Sequence, residues 1–410
     1  MQFQRRPAPE ERARLKSLSD KHTGLVLVAG ISLILYLVSA LPVIFEDTFH
    51  HYVYLADAFA HGRLNLALPS AGVHDRPDSF DDIAVYRNRF YLGLPPLPAI
   101  FILPLIPWRG VHADARAVAV LLGAVNVGLC FRLLEKIVRD RSKIYWLTAF
   151  FGAGTVHWFV ASHGGAWYFA QVCAVFFLLL GLNAAFSGHG AAAGFALAGA
   201  FLCRQLSILA LPAFLGITAV SGGGIGRPRR LFWVLLGAAG GVFVYLCYNF
   251  LRFGSPFETG YGYHCITGAA VIQYQRYGLF HPHYLPRNLY TLLFMPPRLT
   301  DGFPWFRPTP AGQALIFTSP ALFYAFKAGF RSWENRAIWV SAAGIVAAQL
   351  FYCNNGSWQF GYRFILDSLP LLMVLIARGT PPSLTLGARA VIVLSILFNC
   401  WGIVALRNLI

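Results

Sequence analysis

The chain has 410 residues, of which 57% are hydrophobic and 12% are charged, and its mean hydropathy is +0.56. These values exclude an ordinary soluble domain and are typical of a protein that crosses a membrane several times. The net charge of +16 does not indicate nucleic-acid binding, because the basic residues are scattered between apolar runs, as expected for loops beside anionic headgroups.

A basic tail opens the chain, and it contains Arg5, Arg6, Arg12, Arg14 and Lys16. The apolar run that follows, residues 24–45, is long enough to cross a hydrocarbon core of about 30 Å. By the positive-inside rule the tail lies in the cytoplasm, so the run delivers Glu46 and Asp47 to the extracytoplasmic side. No cleavable signal is expected, because the run has full spanning length and no small-residue cleavage site follows it.

The next stretch, residues 45–61, predicts an amphipathic helix on the membrane surface. Its polar arc holds Asp47, His50, Tyr54, Asp57 and His61, with apolar side chains on the opposite arc. Asp57 and His61 are four residues apart and could share a divalent metal, but two ligands leave the metal undecided. The proline-rich apolar residues 95–108 are too short for a crossing and predict a re-entrant or interfacial segment.

Further spans are predicted at residues 115–134, 144–161, 166–186, 231–250, 311–326, 337–352, 364–377 and 391–406. Between them, residues 191–220 form one apolar run interrupted by Arg204 and Gln205, which two short crossings meeting at Arg204 explain best. We therefore predict an all-α polytopic membrane protein with about eleven transmembrane helices. The whole chain, 1–410, forms one membrane-embedded domain, and its long extracytoplasmic loops cover residues 46–113 and 251–310.

Three arginines lie at outer helix ends in this topology, namely Arg204, Arg252 and Arg363. A guanidinium group at the hydrocarbon boundary is costly unless it reaches the headgroups or pairs with an anion, and a lipid phosphate suits its forked donors. Ordinary snorkelling remains open for each of them. Trp358 and Tyr362, close to Arg363, could stack on a sugar or anchor the chain at the interface.

The acidic pair also has two readings. Glu46 and Asp47 could cap the following helix, or one of them could act as a general base. Asp47 is preferred as the base because it falls on the polar arc. The acidic cluster between Asp75 and Asp82 is expected to be a solvated loop.

Several motifs follow one another along the chain in an order that a known family shares. They are the acidic pair after the first span, Tyr91 with Pro95 and Pro96, Cys203-Arg204, the Tyr-Asn-x-x-Arg-Phe-Gly-Ser-Pro-Phe-Glu-x-Gly-Tyr stretch at 248–261, and residues 358–369. This pattern resembles bacterial membrane glycosyltransferases of the GT-C superfamily, the polyprenyl-phosphate-sugar-dependent enzymes related to protein mannosyltransferases and aminoarabinose transferases. The chain departs from those enzymes at Leu94, where they often carry lysine, and no large soluble C-terminal domain is expected.

The resemblance implies a reaction on the extracytoplasmic side of a bacterial inner membrane. Arg204, Arg252 and Arg363 would hold the phosphate of a polyprenyl-phosphate-linked sugar. Asp47, with Glu46 beside it, would take a proton from the acceptor hydroxyl, and the reaction would invert the anomeric carbon. Further substrate contacts are expected from His50, Tyr54, Asp57, Trp358 and Tyr362. The acceptor could be a glycan, a lipid or a protein, and membrane lipids surround the spans.

Two other classes compete with the enzyme. A lipid or glycan transporter usually shows inverted repeats and ionisable residues near the middle of its spans. Here no repeat is visible, and the ionisable residues gather at the outer ends. A structural membrane subunit would not need three arginines and an acidic pair on one face.

Overall fold

The computed structural model describes residues 9–41, 50–67, 82–223, 226–264, 274–302, 305–356 and 358–407, with side chains from residue 22 to residue 405. Glu46 and Asp47, the predicted catalytic pair, lie outside the described residues, as do Asp75 and Asp78.

The described chain is mostly helical. The α-helices are α1 (Pro9–Ala40), α2 (His51–Ala60), α3 (Leu97–Ile102), α4 (Ile106–Arg109), α5 (Ala115–Ile137), α6 (Arg141–Ala153), α7 (His157–His163), α8 (Ala166–Phe186), α9 (Gly190–Cys203), α10 (Leu211–Val220), α11 (Arg227–Phe253), α12 (Leu285–Leu293), α13 (Leu315–Thr318), α14 (Trp333–Leu350), α15 (Leu369–Gly379) and α16 (Leu386–Arg407). The longer 3-10 helices are Gln205–Ala210, Pro320–Ala328 and Arg363–Asp367.

Three short strand pairs complete the described structure. Strand β1 (Ile83–Tyr86) pairs antiparallel with β2 (Arg89–Leu92), and β3 (Arg298–Leu299) pairs antiparallel with β4 (Phe306–Arg307). Strand β5 (Ala311–Gln313) pairs parallel with β6 (Gln359–Gly361). The first two pairs are local hairpins, whereas the third ties the second long loop to the segment that carries Arg363.

Five described helices are long and apolar enough to cross a membrane, and a sixth span arises if α6 and α7, bent by 49°, are counted together. The five are His22–Ala40, α5, α8, α11 and Leu386–Ala405. This confirms the predicted class, while the figure of eleven stays a prediction. Residues 311–326 do not form the single helix expected of a span. Residues Ala311–Gln313 form strand β5 instead of a helix. Pro320 has no N–H to donate, and it begins a separate 3-10 helix after α13.

The long apolar run breaks at Arg204, as predicted. Helix α9 packs parallel to α11 through small residues, with Gly194 against Val234 and Ala198 against Gly241. After α9 the chain returns to its starting side, because a Cβ on Gly188 would lie only 3.2 Å from the Cα of Gly222. Arg204 therefore lies at the same end of the helices as the C-terminus of α11.

The two long loops meet at that end, which we call the loop end (residues 50–67, 82–112, 254–264, 274–302 and 305–314). The Tyr86 hydroxyl donates to the Phe253 carbonyl over 3.2 Å, and Ala84 forms a β-bridge with His264. At the opposite end, Lys143 donates from Nζ to the carbonyls of Ala377, Thr380 and Pro381 and so caps α15.

Helix α2 shows the two predicted arcs. His50, Tyr54 and Asp57 are half-buried and His61 is exposed, whereas Tyr52, Leu55 and Ala56 are buried. The buried side is wider than predicted, since His51, Val53 and Ala58 are also buried. The reason is that α3 and α4, from the proline-rich segment, pack directly on α2.

Candidate functional site

The site is built around Arg204, which ends α9 in an extended conformation. Its guanidinium group lies 2.8 Å from the carboxylate of Asp367, and its Nε donates to the same oxygen over 2.9 Å. The Asp367 side chain is completely buried, whereas the Arg204 side chain is 20% exposed. The guanidinium group therefore bridges a buried carboxylate and space that solvent or a ligand can reach.

Arg363 is the second cation of the cluster, and it is 4% exposed. Its Nη1 donates to the amide oxygen of Gln171 over 3.0 Å, and its Nε donates to the Gly356 carbonyl over 3.4 Å. Burial lowers the pKa of Arg363 to about 10, which leaves it protonated at neutral pH. Among the described residues no carboxylate lies within ion-pair distance of it.

Arg204 and Arg363 share one aromatic ring. Their guanidinium carbons lie 5.4 Å and 5.0 Å from the centroid of Phe364. The cluster thus contains two cations and one paired carboxylate, Asp367. It therefore carries an excess positive charge in surroundings that are largely shielded from water. Such a charge is costly without an anionic partner.

Neighbouring amides fix the carboxylate in place. Gln349 donates to Asp367 over 2.8 Å and to the Phe364 carbonyl over 2.9 Å. The second oxygen of Asp367 is buried and has no hydrogen-bond partner in the described structure. The cluster draws on α8, α9, α14 and the 3-10 helix Arg363–Asp367, and only one oxygen of its described carboxylate has partners.

The predicted third phosphate ligand, Arg252, is 3% exposed and is engaged elsewhere at the loop end. It donates to the Leu92 carbonyl over 2.5 Å and to Asn249 over 2.7 Å, and it lies 3.8 Å from the centroid of the Tyr248 ring. These bonds tie β2 to α11. Arg252 thus fastens the first loop to the helices and is not part of the Arg204–Arg363 cluster.

One residue of α2, Tyr52, lies near this cluster. Tyr52 packs edge-on against Phe169, and although burial raises the pKa of its phenol, the Arg204 guanidinium is near enough to oppose that rise. His50 precedes the first turn and Tyr54 packs on the main core.

Asp57 is occupied by local partners. Its carboxylate lies 3.2 Å from Arg63 and 3.4 Å from His61. In the part of the chain that the structure describes, no group of three His, Cys, Asp or Glu side chains is arranged to hold a metal. The possible divalent metal therefore stays a prediction, and the described residues offer no set of ligands for it.

The two aromatic candidates differ in exposure. Trp358 is 52% exposed, and its carbonyl accepts a hydrogen bond from the Tyr168 hydroxyl. Tyr362 is completely buried and packs edge-on against Phe364. Only Trp358 of this pair offers a ring face to a ligand.

The sequence analysis missed a polar contact between the loops. Asp82, expected in a solvated loop, accepts a hydrogen bond from the indole of Trp167, and its other oxygen lies 3.7 Å from His264 Nδ1. The imidazole of His264 packs on Gly93 so closely that a Cβ there would lie 1.8 Å from Nε2. Burial lowers the pKa of His264, and Asp82 partly opposes this.

Asp367 was also missed, although it carried a signal. It lies inside the predicted span 364–377, where a carboxylate is costly unless it is paired. That cost calls for a cation from another helix, and Arg204 supplies it.

The fold and the site define a multi-pass helical membrane protein with a cationic cluster at the end of its spans, where two long loops meet. The chain is similar to solved structures of ArnT from Cupriavidus metallidurans. It aligns with ArnT in the apo state at 17% identity and a TM-score of 0.49, and with ArnT bound to undecaprenyl phosphate at 18% identity and the same TM-score. Each alignment covers 87% of this chain.

The chain spans about three fifths of the length of the ArnT chains, 59% and 60% respectively. No protein-family model matches the sequence, and no curated protein matches it.

Proposed function

We propose that this protein is a membrane glycosyltransferase that moves a sugar from a polyprenyl-phosphate donor to an acceptor hydroxyl at the loop end. The observation that carries the proposal is that Arg204 and Arg363 both contact Phe364, while Asp367 is the one described carboxylate that forms an ion pair with either of them. A phosphate group would supply the missing negative charge. It would also give the Arg363 guanidinium a charged acceptor, since its protein acceptors, Gly356 and Gln171, are neutral.

The lipid part of the donor fits the location of the cluster. Arg204 ends an apolar helix, and Arg363 begins the 3-10 helix Arg363–Asp367 that leads into another, α15. A phosphate held there would leave its polyprenyl chain at the level of the spans, in contact with apolar helix surfaces. In the reaction, the same fixed positive charge would stabilise the phosphate as it departs from the anomeric carbon.

Asp47 is proposed as the general base, with Glu46 as its neighbour. It lies three positions before His50, so covalent connectivity keeps its Cα within about 11 Å of the His50 Cα. His50 begins the turn that places Tyr52 near Arg204, so a carboxylate at position 47 has the reach to serve an acceptor at this end. It would remove the hydroxyl proton as the acceptor oxygen attacks and inverts the anomeric centre.

The remaining candidates receive different roles. Trp358, exposed and next to the strand that leads to Arg363, is proposed to stack on the sugar. Arg252 is proposed to position the first loop through Leu92 and not to touch the phosphate. Protonation at pH 7 keeps Arg363 available as a phosphate ligand throughout the reaction.

A binding measurement tests the phosphate site. Full-length protein in detergent is titrated with undecaprenyl phosphate, and complexes are counted by native mass spectrometry. Arg363→Gln should weaken binding by about tenfold or more, because a charge-assisted contact is lost. Arg363→Lys should fall between that variant and the wild type, because it keeps the charge and loses the fork.

Arg331→Gln is the matched control, since Arg331 is exposed and lies before α14 at the end of the helices opposite the site. It should bind as the wild type does. Equal affinity in Arg363→Gln and Arg331→Gln, with both variants folded, would remove the phosphate from the Arg204–Arg363 cluster.

A lipid transporter is the second candidate, and one observation favours it. His157 lies buried at the bend between α6 and α7, with Nδ1 3.1 Å from the Tyr36 hydroxyl and Nε2 3.3 Å from the Asn126 amide. Ionisable groups at broken spans are typical of transporters. However, both ring nitrogens have partners, which also suits a structural role at the bend.

A further inference from the structure

The hairpin formed by β3 and β4 carries an unusual pair of like charges. Arg298 on β3 lies directly opposite Arg307 on β4. Residues directly opposite in an antiparallel pair share a face, and like charges in such positions are destabilising. Both arginines are exposed. In the described structure, neither has an ion pair or a hydrogen bond that would offset the repulsion.

The other face of the hairpin is apolar. Leu299, which is 84% exposed, lies opposite Phe306, and the Phe306 ring lies 5.0 Å from that of Trp401. Trp401 belongs to the candidate span Leu386–Ala405, only four residues before its end. The hairpin therefore packs beside the end of this candidate span.

Neighbouring side chains suit the same depth. Trp305, in the turn of the hairpin, is 61% exposed, and Phe294, which ends α12, is 63% exposed. Large aromatic and aliphatic side chains that are costly in water are favourable at the interface between lipid and water, where tryptophan is enriched. One face of the hairpin thus has the composition of a membrane-facing surface, and the arginine face suits the level of the headgroups.

We propose that Arg298 and Arg307 form a second phosphate site, which binds the headgroup of an anionic lipid in the leaflet at the loop end. A phosphate between the two guanidinium groups turns their repulsion into two charge-assisted contacts. The site is separate from the Arg204–Arg363 cluster, because it lies on an exposed hairpin and not among buried side chains. It would fix the depth of the second loop in the membrane.

The test uses full-length protein in detergent, titrated with dioctanoyl phosphatidylglycerol and followed by native mass spectrometry. Arg298→Gln/Arg307→Gln should weaken binding by about tenfold or more, since both charge-assisted contacts are lost. The control Arg331→Gln should match the wild type. Binding of undecaprenyl phosphate should be unchanged in the double variant, which separates this site from the donor site.

Four results would overturn the proposal. Wild-type lipid affinity in the double variant would show that the arginines are merely solvated. Competition by inorganic phosphate at the same concentration as the lipid would identify a free-phosphate site. Loss of undecaprenyl phosphate binding in the double variant would place the hairpin in the donor site. If the double variant does not fold, the single variants are titrated instead, and wild-type affinity in both would likewise overturn the site.

Discussion

Arg204 and Asp367 come from helices far apart in the sequence and form an ion pair of 2.8 Å in which the carboxylate is completely buried. Desolvation makes such a pair costly, and the cost is offset only when the remaining polar atoms find partners. Here Gln349 completes one oxygen of Asp367. Arg363 adds a second positive charge nearby, so the three groups together carry one excess positive charge.

Asp367→Asn should destabilise the protein strongly. The substitution leaves the Arg204 guanidinium largely surrounded by protein without its carboxylate, and breaking a buried pair costs about 3–5 kcal/mol. Thermal unfolding in detergent should show a clearly lower midpoint. Adding Arg204→Gln should recover part of the loss, since it removes the uncompensated charge. A double variant no more stable than Asp367→Asn alone would argue against a paired, desolvated site.

Gly93→Ala should undock the first loop from the second. A Cβ at position 93 would lie 1.8 Å from Nε2 of His264, so the imidazole has to leave its place between the loops. Transfer activity should fall, while the helices remain folded by circular dichroism. Gly240→Ala is the control, since a Cβ there meets nothing within 4 Å. Similar activity in both variants would show that the loop contact is not required.

The burial of His264 between the two loops should make loop docking sensitive to acid. Burial holds the pKa of His264 below its ordinary value of 6.5, with Asp82 opposing the shift and Arg252 and His51 adding to it. The undocked imidazole binds a proton more readily than the docked one. The stabilisation is therefore complete above pH 6.5 and is lost as the pH falls towards the lowered pKa.

Thermal unfolding at pH 7.5 and pH 5.5 measures this effect. The midpoint should fall at pH 5.5 in the wild type, and His264→Gln should show a smaller fall. An identical pH dependence in the two proteins would assign the acid sensitivity to other groups.

Lys143→Met should weaken the end of the helices opposite the site and leave the site itself intact. The lysine donates to three carbonyls at the end of α15, and removing such charged hydrogen bonds costs about 1–3 kcal/mol. The unfolding midpoint should drop, while the affinity of the folded protein for undecaprenyl phosphate should not change. Arg139→Gln, a substitution at an exposed residue nearby, serves as the control for charge loss.

The sequence predicted those features of the fold that depend on residues close together in the chain. The break at Arg204 was predictable because a charge inside a long apolar run has few places to go. That the two long loops lie at the same end of the helices was predictable from the alternation of basic clusters. By contrast, the packing of His264 on Gly93 joins residues about 170 positions apart and depends on tertiary contacts that no local pattern encodes.

Arg252 shows a second reason why the sequence could not predict the site fully. A guanidinium group at a helix end looks the same in the sequence whether a ligand or a backbone carbonyl completes it. Leu92, which accepts its hydrogen bond, was not an obvious partner, because backbone carbonyls are present at every residue. Tyr362 was expected to stack on a sugar or to anchor the chain at the interface, but it is completely buried, since an aromatic residue near a predicted interface serves equally well in the core.

The most direct test of the account compares envelope glycans from cells that carry the wild-type protein, Asp47→Asn or no copy, by mass spectrometry. The account predicts that one sugar residue of defined mass is present with the wild type and missing in both other strains, although Asp47→Asn is expressed at normal level. Identical glycans in the wild-type and Asp47→Asn strains would contradict the proposed base, and identical glycans in all three would contradict the proposed transfer reaction.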